Sequence, residues 1–212
     1  MAHVKRPYDA TGRQERARAR RLAVVVAARD LFERDGFRAT TITGVAARAG
    51  VSPQSIYQGF GSKAALAKAV FDLVLAGDDE PVPVAEREAM QAMRAEPDVR
   101  RKIAMFLAGL AQRHARSAGV QILIRDGRHV DDALAPVWAK VNEEGLVGMT
   151  MLGRHFVDTG QLREGLELDE VRDVLWNYLA IDHYERLVII RGWDHERYTR
   201  WLTDAVTRAL CP

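Results

Sequence analysis

The chain has 212 residues, of which 48% are hydrophobic and 28% are charged, and its formal net charge is +2. This length allows one large domain, or a small domain followed by a medium one. The single cysteine, Cys211, excludes a disulfide within the chain and favours a reducing compartment such as the cytoplasm. No secretory segment is recognised after Met1. The longest apolar run, Leu22 to Ala28, is too short to cross a bilayer.

Charge is divided unevenly along the chain. Residues 1–63 contain 12 lysines and arginines against 5 acidic residues, a net charge of +7, whereas residues 64–212 contain 19 against 24, a net charge of −5. The densest basic run consists of Arg13, Arg16, Arg18, Arg20 and Arg21. A basic N-terminal part is typical of a protein that binds a polyanion there, because its cations neutralise phosphates and release counterions.

Residues 41–63 predict two short helices joined by a tight turn. Thr41 is placed to cap the first helix, and Gly50 ends it because glycine accepts the left-handed backbone conformation. Ser52 caps the second helix, and Pro53 suits its first position. The outward face of the second helix consists of Gln54, Ser55, Tyr57 and Gln58. Such a helix-turn-helix is a geometry that places side chains in the major groove of DNA.

The other elements are also predicted to be helices. In chain order, with the helix-turn-helix omitted, they cover about residues 12–35, 62–75, 84–95, 98–117, 120–126, 132–158, 169–191 and 194–210. Gly36 ends the first, Gly119 separates two others, and Asp169 and Asp194 cap the last two. Glycines inside the helix over 132–158 indicate either a kink or close helix packing. Strand-like alternation is absent from the sequence, so we predict an all-α fold.

Residues 77–83 break the helical pattern with three acids and two prolines, and we interpret them as a linker. We therefore expect one domain over residues 1–76 and another over residues 77–212. The last two long helices are apolar on more than one face, which favours a partner on the far side over a purely monomeric core.

One segment, roughly residues 14–75, has a spacing of residues that is typical of a known family. Its elements are Val24 through Phe32, Gly36-Phe37, Thr40-Thr41-Ile42, Val45-Ala46, Ala49-Gly50-Val51-Ser52, Ile56-Tyr57, Phe60, Lys63 and Leu66. On these residues the chain resembles the TetR family of bacterial transcriptional repressors. The resemblance implies an N-terminal three-helix DNA-binding domain with a helix-turn-helix, followed by a C-terminal helical domain for ligand binding and dimerisation. It also implies a homodimer formed through the last two long helices.

The resemblance also implies roles for individual residues in DNA binding. Thr41 is expected to meet the phosphate backbone, and Tyr57 and Lys63 are expected to contact phosphates. The residues implied to face the bases are Gln54, Ser55 and Gln58. The whole candidate set is Arg20, Thr41, Ser52, Pro53, Gln54, Ser55, Tyr57, Gln58 and Lys63. Gly59 departs from the family, in which histidine is frequent at this position, so one backbone contact is in doubt.

Each of these assignments has a structural alternative. Tyr57 could be a packed core aromatic, and the arginine run could be a solvated helix face. Candidates for a small-molecule site are Phe106, Trp138, Met151, His155, Trp176 and Asn177, each of which could instead belong to the core. Their composition favours a largely apolar, aromatic or amphipathic ligand. Arginines that could pair with an anion are expected to face solvent or acids instead, namely Arg125, Arg154 and Arg186.

These observations favour a homodimeric transcriptional repressor that binds a pseudo-palindromic operator in double-stranded DNA and is released by a small molecule. One alternative is a constitutive or architectural DNA-binding protein without an effector. Another is an all-α enzyme with an appended helix-turn-helix. Asp182-His183 and Asp194-His195-Glu196 do not gather side chains on one helix face, and the sequence has no His-x-x-x-His motif. We therefore expect no enzymatic activity, no metal, no cofactor and no membrane partner.

Overall fold

The computed structural model describes residues 10–77 and 84–212, and its side chains are described for residues 12–77, 84 and 86–212. Every regular element within these ranges is a helix, so the predicted all-α fold is confirmed. The chain divides into two compact units, the first ending at Val70 and the second running from Phe71 to Pro212. Most of the predicted linker, residues 78–83, lies outside the described residues. The assignment of separate functions to residues 1–76 and 77–212 stays a prediction.

In its described residues, from Ala10 onward, the first unit contains three helices and the beginning of a fourth. These are α1 (Ala10–Ala39), α2 (Ile42–Ala49), α3 (Pro53–Phe60) and α4 (Lys63–Ala76). Gly36 interrupts α1 with a φ of 80°, so the predicted stop is confirmed, although helical turns continue to Ala39. The buried core of this unit includes Val24, Ala28, Leu31, Phe32, Val45, Ala46, Ile56, Leu66 and Val70.

Outside residues 78–83, which are not described, the second unit contains the rest of α4 and six further helices. They are α5 (Glu88–Ala95), α6 (Val99–Gly127), α7 (Ala135–Val157), α8 (Leu168–Leu179), α9 (Ile181–Tyr184) and α10 (His195–Leu210). Short 3-10 turns cover Val84–Glu86 and Asp132–Leu134, and a π-helical segment covers Glu185–Ile190. Helix α10 packs on α6 and α8, and α7 packs on α8. None of the described helices is long and apolar enough to span a membrane.

Three predicted boundaries in this unit are wrong. Gly119 does not separate two helices, because α6 continues through it to Gly127. Its neighbours Ala118 and Val120 are buried, and this packing outweighs the cost of about 1 kcal/mol for glycine in a helix interior. The helix predicted over 169–191 is broken at Ala180, whose ψ is 131°. Asp169 is not a cap: it lies in the first turn of α8 and pairs with Arg172 at 2.6 Å.

Two of the three glycines inside α7, Gly145 and Gly153, lie against α8. Helix α7 is continuous from Ala135 to Val157. A Cβ atom on Gly145 would lie 3.0 Å from Leu179 Cδ2, and one on Gly153 would lie 3.4 Å from the backbone nitrogen of Arg172. Both neighbours belong to α8. The contact at Gly145 would be unusually tight, whereas a Cβ atom at Gly153 would reach ordinary van der Waals contact and leave no space for a larger side chain.

Candidate functional sites

Two hydroxyl groups cap the helices of the helix-turn-helix. Thr41 Oγ1 accepts a hydrogen bond from Gly44 N at 3.0 Å, and Ser52 Oγ accepts one from Ser55 N at 3.2 Å. Both predicted caps are therefore confirmed. Each satisfies a backbone donor that the first turn of a helix leaves without an intrahelical partner.

The turn between α2 and α3 depends on Gly50. Its φ of 67° and ψ of 33° lie in the left-handed region, where a side chain would be strained. Val51 N then donates to Ala46 O at 3.0 Å, which closes the end of α2. The chain can therefore reverse within three residues and start α3 at Pro53.

One face of α3 is open to solvent. Its exposed residues, together with the cap, are Ser52, Pro53, Gln54, Ser55, Tyr57 and Gln58. Tyr57 is 52% exposed, so it is not a core aromatic, whereas Ile56 is 1% exposed and anchors the opposite face. Thr41 and Arg20 are also exposed. Residues 41–63 contain no acidic side chain that would repel phosphate.

Lys63 has a structural role that the sequence did not indicate. Its ammonium donates to Phe37 O at 2.8 Å and to Thr40 O at 3.1 Å, and it lies 4.2 Å from the centre of the Phe37 ring. These contacts tie the start of α4 to the end of α1. An ammonium has three donors, so one is left for a phosphate.

Arg21 likewise connects two helices of the first unit. Its Nη1 donates to Gly59 O at 3.1 Å, and its guanidinium carbon lies 4.2 Å from the centre of the Phe60 ring. Part of the basic run therefore holds the end of α3 in place. A Cβ atom on Gly59 would meet no atom within 4 Å, so the glycine leaves open space at this exposed position.

The second unit contains a cavity of about 410 Å³ between its helices. Its wall includes all six residues predicted for a small-molecule site, namely Phe106, Trp138, Met151, His155, Trp176 and Asn177. Their contact with a ligand stays a prediction. The wall residues of α7 extend from Trp138 to His155, which at a rise of 1.5 Å per residue is roughly 25 Å. The cavity is therefore elongated along α7.

Two polar side chains of the wall are held by buried partners. Lys102 is 4% exposed, and its ammonium donates to Arg94 O at 2.6 Å and to His155 Nε2 at 3.1 Å. Because lysine cannot accept a hydrogen bond, His155 Nε2 must be the acceptor, and the neutral ring carries its proton on Nδ1. Burial, together with the charge of Lys102, lowers the pKa of His155.

His114 forms the other buried contact. Its Nε2 lies 3.0 Å from Leu179 O, a carbonyl that only accepts, so Nε2 carries the proton. Nδ1 then accepts from the Tyr198 hydroxyl at 3.0 Å. Burial lowers the pKa of His114 to about 4, and the ring is neutral at pH 7. Sequence reasoning missed this pair because its members are 84 positions apart.

The three arginines considered in the sequence behave as expected. Arg125 is 12% exposed at its side chain and bonds to Asp126 at 2.8 Å, Asp182 at 3.1 Å and Glu185 at 2.7 Å. Arg154 and Arg186 are exposed. The wall nevertheless includes a cation that the sequence did not single out, Arg113 of α6. Its guanidinium carbon lies 5.4 Å from the centre of the Phe106 ring.

Comparison with known proteins identifies the family. Residues 24–70 match the family model described as bacterial regulatory proteins, tetR family. The chain is a TetR-family transcriptional regulator. The matched segment begins inside α1 and ends in α4, so it contains the whole helix-turn-helix. None of the curated proteins matches this chain.

Solved structures of similar fold cover nearly the whole regulator. FadR from Bacillus subtilis, solved with stearoyl-CoA, has a TM-score of 0.69 and 14% identity over 89% of this chain and 98% of its own. NalD, the secondary repressor of the MexAB-OprM multidrug efflux pump in Pseudomonas aeruginosa, has a TM-score of 0.67 and 16% identity over 93% of this chain and 98% of its own. A transcriptional regulator from Saccharomonospora viridis, solved with choline, has a TM-score of 0.64 and 16% identity over 93% of this chain and 99% of its own. At these identities the likeness shows the fold alone.

Within the ranges that the structure describes, no group of three or more histidine, cysteine, aspartate or glutamate side chains is placed to hold a metal ion. The single cysteine, Cys211, is buried, and burial raises the pKa of its thiol.

Proposed function

We propose that this TetR-family regulator is a homodimeric repressor that leaves its operator when a small, mainly apolar ligand enters the cavity. The observation that carries the DNA-binding part is the exposed face of α3. It offers amide, hydroxyl and phenol groups, and no acid lies nearby in residues 41–63. Amides of glutamine can pair with base edges, while hydroxyl and ammonium groups contact phosphates.

The DNA-binding part is tested by selecting bound duplexes from a randomised pool. We expect a pseudo-palindromic site whose half-sites lie about one helical turn or slightly more apart. Gln54→Ala and Gln58→Ala should relax the preference at particular bases, each costing about 1–3 kcal/mol at its position. Gln91→Ala, on α5 in the second unit, is the matched control. A pool that shows no enriched sequence would refute specific DNA binding.

The proposed link between cavity and DNA surface rests on α4. This helix starts at Lys63, whose ammonium is bound by the end of α1, and it contributes Phe71 and Leu75 to the cavity wall. A ligand that binds one position of α4 more tightly than another shifts the equilibrium between these two conformations. The size of the shift is limited to the difference between the two binding free energies. Ligand-dependent release of the selected duplex is the corresponding measurement.

The remaining parts of the proposal concern assembly, location and activity. The dimer forms through the last long helices, each protomer reads one half-site, and the protein acts in the cytoplasm without enzymatic activity. The main competing function is a DNA-binding protein without an effector. The cavity favours the ligand-responsive function, since a regulator without an effector has no need of a 410 Å³ opening in its second unit.

A further inference from the structure

The charged side chains on the cavity wall differ in how they are engaged. Asp182 Oδ1 accepts a hydrogen bond from Arg125 Nη1 at 3.1 Å, and Glu144 is exposed and already engaged. Arg94 is exposed to solvent. Arg113 is half-buried, and its guanidinium forms no hydrogen bond or ion pair with any side chain or carbonyl of the described residues. Arg113 is therefore the half-buried cation on the cavity wall whose charge no described residue neutralises, whereas Arg94 is exposed and keeps its charge in water.

The unpaired nitrogens of Arg113 are open to an incoming group. In the described part of the chain, no fully enclosed side-chain nitrogen or oxygen lacks a hydrogen-bond partner. The guanidinium nitrogens, which lack partners, must therefore keep some accessible surface. Burial, reinforced by repulsion from Arg116, lowers the pKa of Arg113 to about 10, so the group still carries its charge at neutral pH. Removing a charge from water without a partner is unfavourable, and an anion would offset that cost.

We propose that the effector carries a single anionic head group, a carboxylate in the simplest case, which pairs with Arg113 while an elongated apolar body lies along α6 and α7. This inference rests on the proposed effector function of the cavity. A guanidinium presents its donors as a planar fork that matches the two oxygens of a carboxylate. The neighbouring wall is apolar and includes Phe106, Leu110, Val141, Met149 and Leu152.

Other ligand charges fit this wall less well. A cation would be repelled by Arg113, and the carboxylate of Asp182 that could attract it is already bound to Arg125. A neutral ligand would cover Arg113 without neutralising it. The fold does not decide between these cases, because structures of similar fold were solved with ligands as different as stearoyl-CoA and choline.

The test uses three probes that share one alkyl chain and differ in charge: decanoate, decanamide and decylamine. Binding to the full chain is measured by calorimetry and by thermal shift, in the absence of DNA. We expect the wild-type protein to bind decanoate about 10- to 100-fold more tightly than decanamide, as hydrogen bonds to a charged group predict. Decylamine should bind more weakly than either.

Variants then locate the head group. Arg113→Met keeps an unbranched apolar stem and should bind decanoate and decanamide with similar affinity, whereas Arg113→Lys should keep part of the preference. The matched control is Arg101→Met, which removes an exposed arginine side chain from the same helix but not from the cavity wall. It should leave the preference for decanoate unchanged.

Several outcomes would overturn the inference: tighter binding of decylamine, equal binding of decanoate and decanamide by the wild type, binding of none of the three, or an unchanged preference in Arg113→Met. DNA binding is scored separately with the selected duplex. If the protein binds that duplex but not decanoate, the head-group inference fails while DNA binding stands. If decanoate binds through Arg113 without any effect on DNA affinity, Arg113 stands as the head-group binding site, while ligand-controlled repression and the effector role of the ligand fail.

Discussion

Single residues show where the second unit depends on pH. His114 is neutral in the folded protein, donating to Leu179 O and accepting from Tyr198, and its pKa falls from 6.5 to about 4. A protonated ring would need a second acceptor where the Tyr198 hydroxyl now donates. The unfolded chain, in contrast, takes up this proton readily below pH 6.5.

The first prediction follows from this pKa difference. Between pH 6.5 and 4 the unfolded state binds more protons than the folded state, so the free energy of unfolding decreases as the pH falls through this window. The contribution of His114 between pH 7.5 and pH 4.5 is roughly 2 to 3 kcal/mol. His114→Gln preserves a donor and an acceptor without a titrating group. Urea unfolding at both pH values should therefore show a smaller difference for the variant than for the wild type.

Lys63 has a structural role and a proposed role in DNA binding, and the second prediction separates the two. Lys63→Gln should lower operator affinity for all sequences and reduce the salt slope by about 0.9, because one phosphate contact is lost. It should also lower the melting temperature, since the ties to Phe37 O and Thr40 O are weakened. A variant that melts earlier but keeps the salt slope of the wild type would show that the ammonium serves the fold alone.

At the scale of elements, local signals were predictable from sequence and packing was not. Thr41, Ser52 and Asp194 were predicted as caps and are caps, because each bonds to a backbone nitrogen within three residues. The continuation of α6 through Gly119 and the break at Ala180 depend on contacts with other helices, which the local sequence does not contain. The same reason explains why the sequence left the role of the α7 glycines open.

The third prediction compares two of those glycines. A Cβ atom on Gly148 would meet no atom within 4 Å, so Gly148→Ala should stabilise the protein by about 1 kcal/mol through helix propensity. A Cβ atom on Gly153 would already be in van der Waals contact with the backbone of Arg172 at 3.4 Å, so the two further methyl groups of Gly153→Val should force α7 away from α8 and destabilise the fold by about 1–3 kcal/mol. Denaturant unfolding of both variants checks the sign. A stabilised Gly153→Val would contradict the close-packing role.

The residues of the cavity wall were also predictable only in part from the sequence. Six wall residues were found because each joins a polar or polarisable group to an apolar run. Arg113 was missed because it lies in a polar stretch, Gln112 to Ser117, that reads as a solvent-facing part of α6. Only the surrounding helices show that two side chains of this stretch, Arg113 and His114, belong to the cavity wall.

For the whole molecule, exposed apolar groups near the C-terminal end favour the proposed dimer. Ile189 and Ile190, at the end of the π-helical segment, are 55% and 69% exposed, and α10 has partly exposed apolar positions at Trp201 and Ala205. Apolar groups clustered on an exposed surface favour a partner there. A specific dimer would bury roughly 1,200–2,000 Å² in total.

The fourth prediction tests this assembly. The native chain should sediment as a dimer at micromolar concentration, and Ile190→Asp should shift it toward monomers that bind the operator far more weakly, because each monomer holds one half-site. Val130→Asp is the control, since Val130 is 59% exposed and lies in the turn after α6 rather than in the π-helical segment or α10. A monomeric wild-type protein would exclude the proposed repressor architecture.

The intrinsic tryptophan fluorescence of this protein can report on ligand binding. All four lie in the second unit, and two of them, Trp138 and Trp176, form part of the cavity wall, while Trp193 and Trp201 pack edge to face elsewhere. A brominated acyl chain that enters the cavity should quench the emission of the first pair and leave that of the second. Ligand entry can then be followed in real time without a dye. Measuring the quenching separately in Trp138→Phe and Trp176→Phe shows which of the two tryptophans is quenched more strongly, and therefore which one lies closer to the brominated end of the chain.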